Sequence, residues 1–391
     1  MITPNRNPVL PEPTRRKLGR RGWVLPWTLA LCATLAGSQL GGAVAGNAPA
    51  NTAVGGSDDR IRVSVPYATN RRLEEIGSGP DAYGGERGSP SFGRCEVVFT
   101  PIPVINGIAH QMPFYVAGET SAIRTERQTN IAAFWDQLSA EAAATTSGSV
   151  VVFIHGYNYG FERHCESAAQ LQRTLAGKAV VLMLSWPSNG RPTDYIPDQA
   201  DVEWSVPFLA RLLGDLGDRL GADHVMVLAH SLGSRGLVFA LERLSAERTR
   251  RPLIGALVLM APDFDAQTFV ERLPALVPLT GGMTLYASSN DVPLKASRQL
   301  HASPRLGEAG GFLTVAPGIQ TVDVSPVGRY QVMGHEYFRF HPRVAADLAA
   351  LLGEGRSALD RPGLRAVPFN GLEYWELLGD TARSDPDRRG D

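Results

Sequence analysis

Val225-Met226-Val227-Leu228-Ala229-His230-Ser231-Leu232-Gly233 is the stretch from which the rest of the chain can be read. Val225 to Ala229 is an apolar run of strand length, and it ends abruptly at a serine held between small residues. From Leu232 onward apolar residues fall at helical spacing, at Leu237, Leu241 and Leu244. The order is strand, sharp turn, helix, with Ser231 at the apex, which is the layout of a nucleophile elbow. Such a turn strains the serine backbone so that Oγ projects above the sheet, and it tolerates only small neighbours two residues either side. Those neighbours are Ala229 and Gly233, so the pattern is A-x-S-x-G rather than G-x-S-x-G. A small-Ser-small turn between two core elements would read the same way, so the surrounding chain has to decide.

Working outward, residues 150–154 form a continuous apolar run, the mark of a parallel strand covered on both faces. The turn His155-Gly156-Tyr157-Asn158 follows, then a helix over 161–175. Residues 180–184 are the next buried strand, closing on Ser185-Trp186-Pro187-Ser188 and a polar loop through Asp194. Trp204, Phe208, Leu212, Leu216 and Leu220 repeat every fourth residue on a helix, with Pro207 either in its first turn behind a Ser205 cap or kinking it. Beyond the elbow come strands at 256–260, 283–287 and 320–324, a helix near 266–277, and a last helix carrying Val344, Leu348, Leu351 and Leu352. Nearer the N-terminus, 61–67 alternates like a half-buried strand and 95–99 is a second strand, with Gly-, Pro- and Ser-rich residues 77–93 reading as a long loop between them. Ile131, Phe134, Trp135 and Leu138 lie on one face of a further helix. This alternation predicts the α/β class, a doubly wound, mainly parallel sheet with helices on both faces. Ligands of such sheets bind beyond the carboxyl ends of the strands. His155, Ser231, Asp291 and His335 all fall just past predicted strand ends.

The 391 residues carry a formal net charge of −1 and are 43% hydrophobic, an ordinary globular balance. No basic excess points to nucleic acid, and no P-loop, dinucleotide fingerprint, HExxH or CxxC occurs, so neither a cofactor nor a metal is expected. Arg15, Arg16, Lys17, Arg20 and Arg21 precede an apolar run and the small-residue site Ala43-Val44-Ala45, the order of a secretory signal peptide over 1–45. The paired arginines leave twin-arginine export open, and Leu31 before Cys32 argues against a lipoprotein signal. The expectation is an exported protein, periplasmic or extracellular, with no stable membrane anchor after cleavage. Residues 46–58 read as a linker, 59–355 as the α/β domain, and 356–391 as a C-terminal extension. In that extension 367–378 docks on the core, and the residues from Asp380 are a disordered tail. Cys95 and Cys165 can pair in an oxidising compartment, although Cys165 also fits the apolar stripe of its helix as a buried thiol.

A serine hydroxyl needs a base to take its proton, and the base needs a partner that fixes its tautomer. Ser231, Asp291 and His335 follow one another in the order Ser, acid, His. Asp263, just past the strand at 256–260, is the alternative acid; His301 and His341 compete with His335, although His341 before Pro342 looks like a helix start. His230 sits beside the serine but points elsewhere from an elbow, which makes it a supporting residue. Negative charge developing on a carbonyl oxygen needs backbone N–H donors. The Leu232 N–H, at the start of the helix, and the Tyr157 N–H, in a turn that Gly156 lets approach, are the candidates.

The segments Val152-Phe153-Ile154-His155-Gly156-Tyr157-Asn158, Ser185-Trp186-Pro187-Ser188, Ala229-His230-Ser231-Leu232-Gly233 and Gly334-His335-Glu336-Tyr337 resemble the α/β-hydrolase superfamily. More narrowly they resemble a bacterial esterase/lipase-like branch whose physiological substrate is not established. Tyr67-Ala68-Thr69-Asn70-Arg71 and Cys95-Glu96-Val97 resemble the N-terminal portion of that branch, so the likeness covers most of 60–352. The resemblance and the residues together lead to an expected serine hydrolase cleaving a small-molecule carboxylic ester through an acyl-Ser231 intermediate. A non-catalytic binding protein of the same fold and an acyltransferase using the same acyl-enzyme are the alternatives. Loops 190–201 and 303–319 are expected to shape the substrate pocket.

Overall fold

The apolar runs at the centre of the chain are strands buried along their whole length, because helices cover both of their faces. In the computed structural model, which describes residues 60–74, 83–103, 105, 116–247, 251–329 and 331–379, these are β4 (Ser149–Ile154), β5 (Ala179–Ser185) and β6 (Val225–His230), with no exposed residue in any of them. Alternate side chains serve opposite faces, as the two-residue period of a strand requires. Val150, Val152, Ile154, Val225, Val227 and Ala229 belong to one core, while Val151, Phe153, Met226 and Leu228 belong to the other. The expected signal peptide, linker and tail from Asp380 lie outside the described residues. The described residues fall within one unit, Asn51–Asp391.

The remaining elements are β1 (Ile61–Leu73), β2 (Tyr83–Pro101), β3 (Glu119–Gln128), α1 (Ile131–Ala143), α2 (Phe161–Leu175), α3 (Tyr195–Trp204), α4 (Val206–Leu220), α5 (Gly233–Glu247), β7 (Ala256–Met260), α6 (Ala266–Leu276), β8 (Met283–Ala287), α7 (Val292–His301), β9 (Gln320–Asp323), α8 (Tyr337–Phe340), α9 (Pro342–Glu354), β10 (Leu364–Phe369) and β11 (Leu372–Leu377). One eleven-stranded sheet runs β10-β11-β9-β8-β7-β6-β4-β5-β1-β2-β3. Its centre is parallel from β1 through β9 to β11, and antiparallel strands close both ends. The doubly wound α/β-hydrolase architecture is therefore present, with antiparallel additions at both edges.

Several sequence expectations need correction. The stretch 77–93 is not one long loop: β2 already begins at Tyr83 and pairs with β1. Its glycines serve close approach; a Cβ at Gly88 would lie 2.6 Å from the Arg71 carbonyl oxygen. The loop expected over 190–201 is helical from Tyr195, and α3 leaves a largely polar exterior that hides its period. Ser205 stands at the N-cap of α4, with Pro207 in the first turn behind it, but its side chain makes no capping bond; its hydroxyl donates back to the Asp201 carbonyl (2.8 Å) and accepts from Asn70 (2.9 Å). Cys95 and Cys165 are both buried free thiols and form no disulfide. Burial in an apolar core and the neighbouring Cys95 push the Cys165 thiol well up, the environment of an inert core cysteine.

The C-terminal extension is part of the sheet rather than an appendage. Trp375 and Leu377 of β11 are buried where that strand runs parallel to β9. Just upstream, Arg361 inserts into the core, where Nη1 donates to Asp347 Oδ2 (2.9 Å) and the Tyr286 hydroxyl (2.7 Å). Both ionic side chains are essentially inaccessible, and removing one partner of such a pair strands the other charge. We expect Arg361→Met to lower unfolding free energy by about 3–5 kcal/mol. Urea denaturation measures it, and a loss well under about 1 kcal/mol would mean the pair contributes no more than a surface contact.

Candidate active site

Ser231 follows β6 directly and has φ 51°, in the left-handed region that a serine rarely adopts. Neighbouring backbone holds it there. The Ser231 N–H donates to Met260 O (3.0 Å), and the Ser231 carbonyl accepts from Asp263 N (3.1 Å) and Ser234 N (3.1 Å). The need for small neighbours is visible. A Cβ at Gly233 would collide with the His155 carbonyl, and one at Gly156 would lie 2.7 Å from Ser231 Cβ. Gly156 thus lets the turn after β4 lie directly against the serine. Ala229 fits because it is a strand residue, paired with Ile154 on one side and Leu259 on the other.

Asp291 has two tasks. As the N-cap of α7 its Oδ1 accepts from the Leu294 N–H (2.9 Å). Its Oδ2 accepts from Nδ1–H of His335 (2.7 Å), which leaves His335 Nε2 as the basic nitrogen. The Val292 N–H donates to Met333 O (3.0 Å) and ties the start of the helix to the histidine loop. Asp291 is wholly buried and the His335 side chain is 14% exposed. Burial opposes charge on His335, but the Asp291 carboxylate, the bond to it, and the nearby Glu336 and Asp263 together raise the imidazole pKa above its usual 6.5. Burial also pushes the Asp291 carboxyl up, against the pull of His335 and the Leu294 N–H. Ser231 adjoins this pair through His230, whose ring centre lies 4.7 Å from that of His335.

The other candidates are occupied elsewhere. Asp263 Oδ1 accepts from Arg305 Nε (2.8 Å) and the Ser297 hydroxyl (2.6 Å), and Oδ2 from the Tyr195 hydroxyl (2.6 Å). A carboxylate already committed to a buried guanidinium is a brace, so the geometry does not pair Asp263 with His335. His301 ends α7, with Nδ1 against Ser297 O (2.9 Å). His341 caps α9 by accepting from the Arg343 N–H (3.3 Å). His230 packs against His335 and Phe338; burial and then His335 push its pKa down to about 3, so it stays neutral.

Three participants were not singled out by sequence reasoning. Glu336, next to His335, accepts from the Tyr159 hydroxyl and from Arg163 Nη2 (2.7 Å), so the histidine loop is fastened to the turn after β4. Asp198 on α3 accepts from Ser188 (2.6 Å) and the Asn158 N–H (3.2 Å), and burial pushes its pKa up to about 6. Buried Arg71 reaches the same turn from β1. Adjacency to the histidine could have flagged Glu336, and the segment Tyr67–Arg71 that carries the family resemblance could have flagged Arg71; Asp198 binds a hydroxyl and a backbone N–H and leaves no motif. Among the described residues no group of three or more His, Cys, Asp or Glu is arranged to hold a metal ion.

Fold and site together define an α/β hydrolase. The chain belongs to a family described as alpha/beta hydrolases of unknown function (DUF900), whose sequence model matches residues 130–354. An uncharacterised protein of Nostoc sp. (strain PCC 7120) is 28% identical over 120 residues, 24% of this chain and 31% of that protein, so the match spans under a third of the relative's length. Similar solved structures include an esterase of Pyrobaculum calidifontis, at 13% identity and a TM-score of 0.35 over 76% of this chain and 85% of that one. A gene product of Listeria innocua has 13% identity and a TM-score of 0.35 over 54% and 95% of the two chains.

The contrast between the two aspartates can be measured as stability. Asp263→Asn removes the counter-charge of buried Arg305 and is expected to cost about 3–5 kcal/mol. Asp291→Asn keeps the helix cap, since Asn caps as well as Asp, and is expected to cost about 1 kcal/mol or less. Equal losses in chemical denaturation would remove the structural distinction between them.

Proposed function

We propose that the protein is an exported serine hydrolase that cleaves a carboxylic ester by way of an acyl-Ser231 intermediate. The observation that carries this reading is Ser231 at φ 51° on its elbow, next in the chain to His230, whose ring packs at 4.7 Å against that of His335, the histidine whose Nδ1 is held by a buried aspartate at 2.7 Å. Export rests on the sequence of residues 1–45. In acylation the Ser231 oxygen attacks the ester carbonyl carbon as its proton passes to His335 Nε2. Asp291 remains ionised and stabilises the imidazolium. The carbonyl oxygen, now negative, accepts from the N–H groups of Leu232 and Tyr157. Collapse breaks the bond to the alcohol, which leaves with the proton from His335. Water then repeats the attack on the acyl carbon, giving its proton to His335; the proton returns to Ser231 as the carboxylic acid departs.

The first test is labelling with a fluorophosphonate probe, wild type beside Ser231→Ala. We expect labelling of the wild type and none of the variant; a well-folded wild type that does not label would favour a binding protein instead. Asp291→Asn leaves the histidine in the wrong tautomer and is expected to lower kcat about 10⁴-fold.

The pH profile follows from His335. The reaction needs the neutral imidazole, and its pKa lies above 6.5, so kcat/KM should rise with pH through a value above 6.5. Glu336 is one of the carboxylates that favour the imidazolium. Glu336→Gln removes that charge while keeping an acceptor, and should move the acidic limb to lower pH. A limb that stays in place or moves up would remove Glu336 from the electrostatics of the base.

A further inference from the structure

Arg71 is a buried cation with no carboxylate among its hydrogen-bond acceptors in the described residues. It stands where the pairing of β1 with β2 changes register on either side of it, a bulge of the kind that re-aims a side chain, and it is 1% exposed. Its Nε donates to the Ser185 hydroxyl (2.8 Å), and Nη1 to the carbonyls of Ser188 (2.7 Å) and Gly84 (3.1 Å). Its Nη2 donates to Tyr159 O (2.7 Å) and lies 3.3 Å from His155 Nε2. Burial lowers its pKa to about 9, so it is still charged at neutral pH. One guanidinium therefore joins the turn after β5 to the turn after β4, the one proposed to supply an oxyanion donor.

Its contact with His155 has a chemical consequence. His155 is fully buried and stacked on Trp186, ring centres 4.6 Å apart at 13°. Nδ1 lies 2.8 Å from Gly156 O, and Nε2 lies 3.0 Å from Trp186 O. Burial and then the Arg71 charge hold its pKa far below the usual value, so the ring carries one proton. With that proton on Nδ1, the ring donates to Gly156 O and accepts from Arg71, satisfying two contacts and leaving only Trp186 O opposed to a lone pair. With it on Nε2, only the Trp186 contact is met, and a donor N–H faces a guanidinium. The network selects Nδ1–H.

The carbonyl held by that proton belongs to the peptide between Gly156 and Tyr157. Every described peptide is trans, and in a trans peptide C=O and N–H point in opposite directions. Holding Gly156 O toward the buried imidazole turns the Tyr157 N–H away from it, on a segment where Gly156 already abuts Ser231. Resting on the serine-hydrolase reading above, we propose that Arg71 is a positioning residue. By presenting its guanidinium to His155 Nε2 it keeps the imidazole proton on Nδ1, and so aims the Tyr157 N–H at the oxyanion.

A two-bond ¹H–¹⁵N spectrum of histidine-labelled protein reads the tautomer directly. We expect the Nδ1–H pattern for His155, assigned by its loss in His155→Asn or its displacement in Arg71→Lys; an Nε2–H pattern overturns the proposal. Kinetics on p-nitrophenyl acetate, per active site titrated with fluorophosphonate, read the consequence. Arg71→Met should lower kcat roughly tenfold to a hundredfold with KM little changed, because the oxyanion exists only in the transition state, while Arg71→Lys should retain most of it. If Arg71→Met melts earlier yet keeps its kcat, the residue is merely structural and the proposal fails. Should Arg71→Met not fold, His155→Asn and His155→Gln replace it: Asn places its amide near Nδ1 and Gln near Nε2, so Asn should be roughly tenfold faster, and equal rates overturn the proposal. Failure of wild type to label with fluorophosphonate would instead remove the hydrolase reading, while the spectrum would still report the tautomer.

Discussion

The structure depends on keeping Ser231 in a backbone conformation it would not choose. A non-glycine residue in such a region costs of order 1–3 kcal/mol and persists only where its surroundings over-determine it. Here they do so from one short segment at the end of β7. Met260 O takes the Ser231 N–H and Asp263 N supplies a donor to the Ser231 carbonyl. Both can reach the same residue because Ala261 between them is itself left-handed, at φ 47°. The Asp263 carboxylate is gripped by Arg305, Ser297 and Tyr195, which fixes the segment that fixes the serine. An aspartate that resembles a catalytic acid by its place in the chain thus acts as the brace of the elbow.

Electrostatics separates the acids around the histidine. His335 feels Asp291, Glu336 and Asp263. Asp263 is bound by Arg305 and Glu336 by Arg163. Asp291 accepts instead from a helix N–H and from His335 itself. The carboxylate without a bound guanidinium is the one whose charge is directed at the imidazole, and its second oxygen is immobilised by capping α7. Helix cap and histidine orientation are therefore a single constraint, since turning the carboxylate to free the cap would also release the ring.

These relations mark the boundary of what the sequence reveals. The parallel strands were legible because a strand covered on both faces has little choice but continuous Val, Leu, Ile and Met, as β6 and β7 have. The elbow was legible because its small residues are imposed by contacts within a few residues and one neighbouring strand. β2 was not, because Gly88 answers to the backbone of β1 and looks like loop composition. Asp263 and Asp291 both sit just past strands, and what distinguishes them is an arginine 42 residues beyond Asp263. Separation of that kind leaves no local pattern.

The groups proposed to react and two of the guanidiniums that brace the core also lie in different stretches of chain. The matched family span, 130–354, contains Ser231, Asp291, His335, Leu232 and Tyr157. Arg71 on β1 and Arg361 ahead of β10 both lie outside it, and each inserts a buried guanidinium into the core that the span encloses. Arg361 meets a carboxylate, so its burial is compensated by an opposite charge. Arg71 meets carbonyls, a hydroxyl and an imidazole, dipoles that have to be aimed, while the Asp198 carboxylate supports its charge through space. A buried charge satisfied by dipoles tolerates less displacement than one satisfied by a counter-ion, because each carbonyl must keep its direction. That is the property wanted beneath the proposed oxyanion donor, where a peptide plane would have to be held at one angle while charge appears and disappears on its far side.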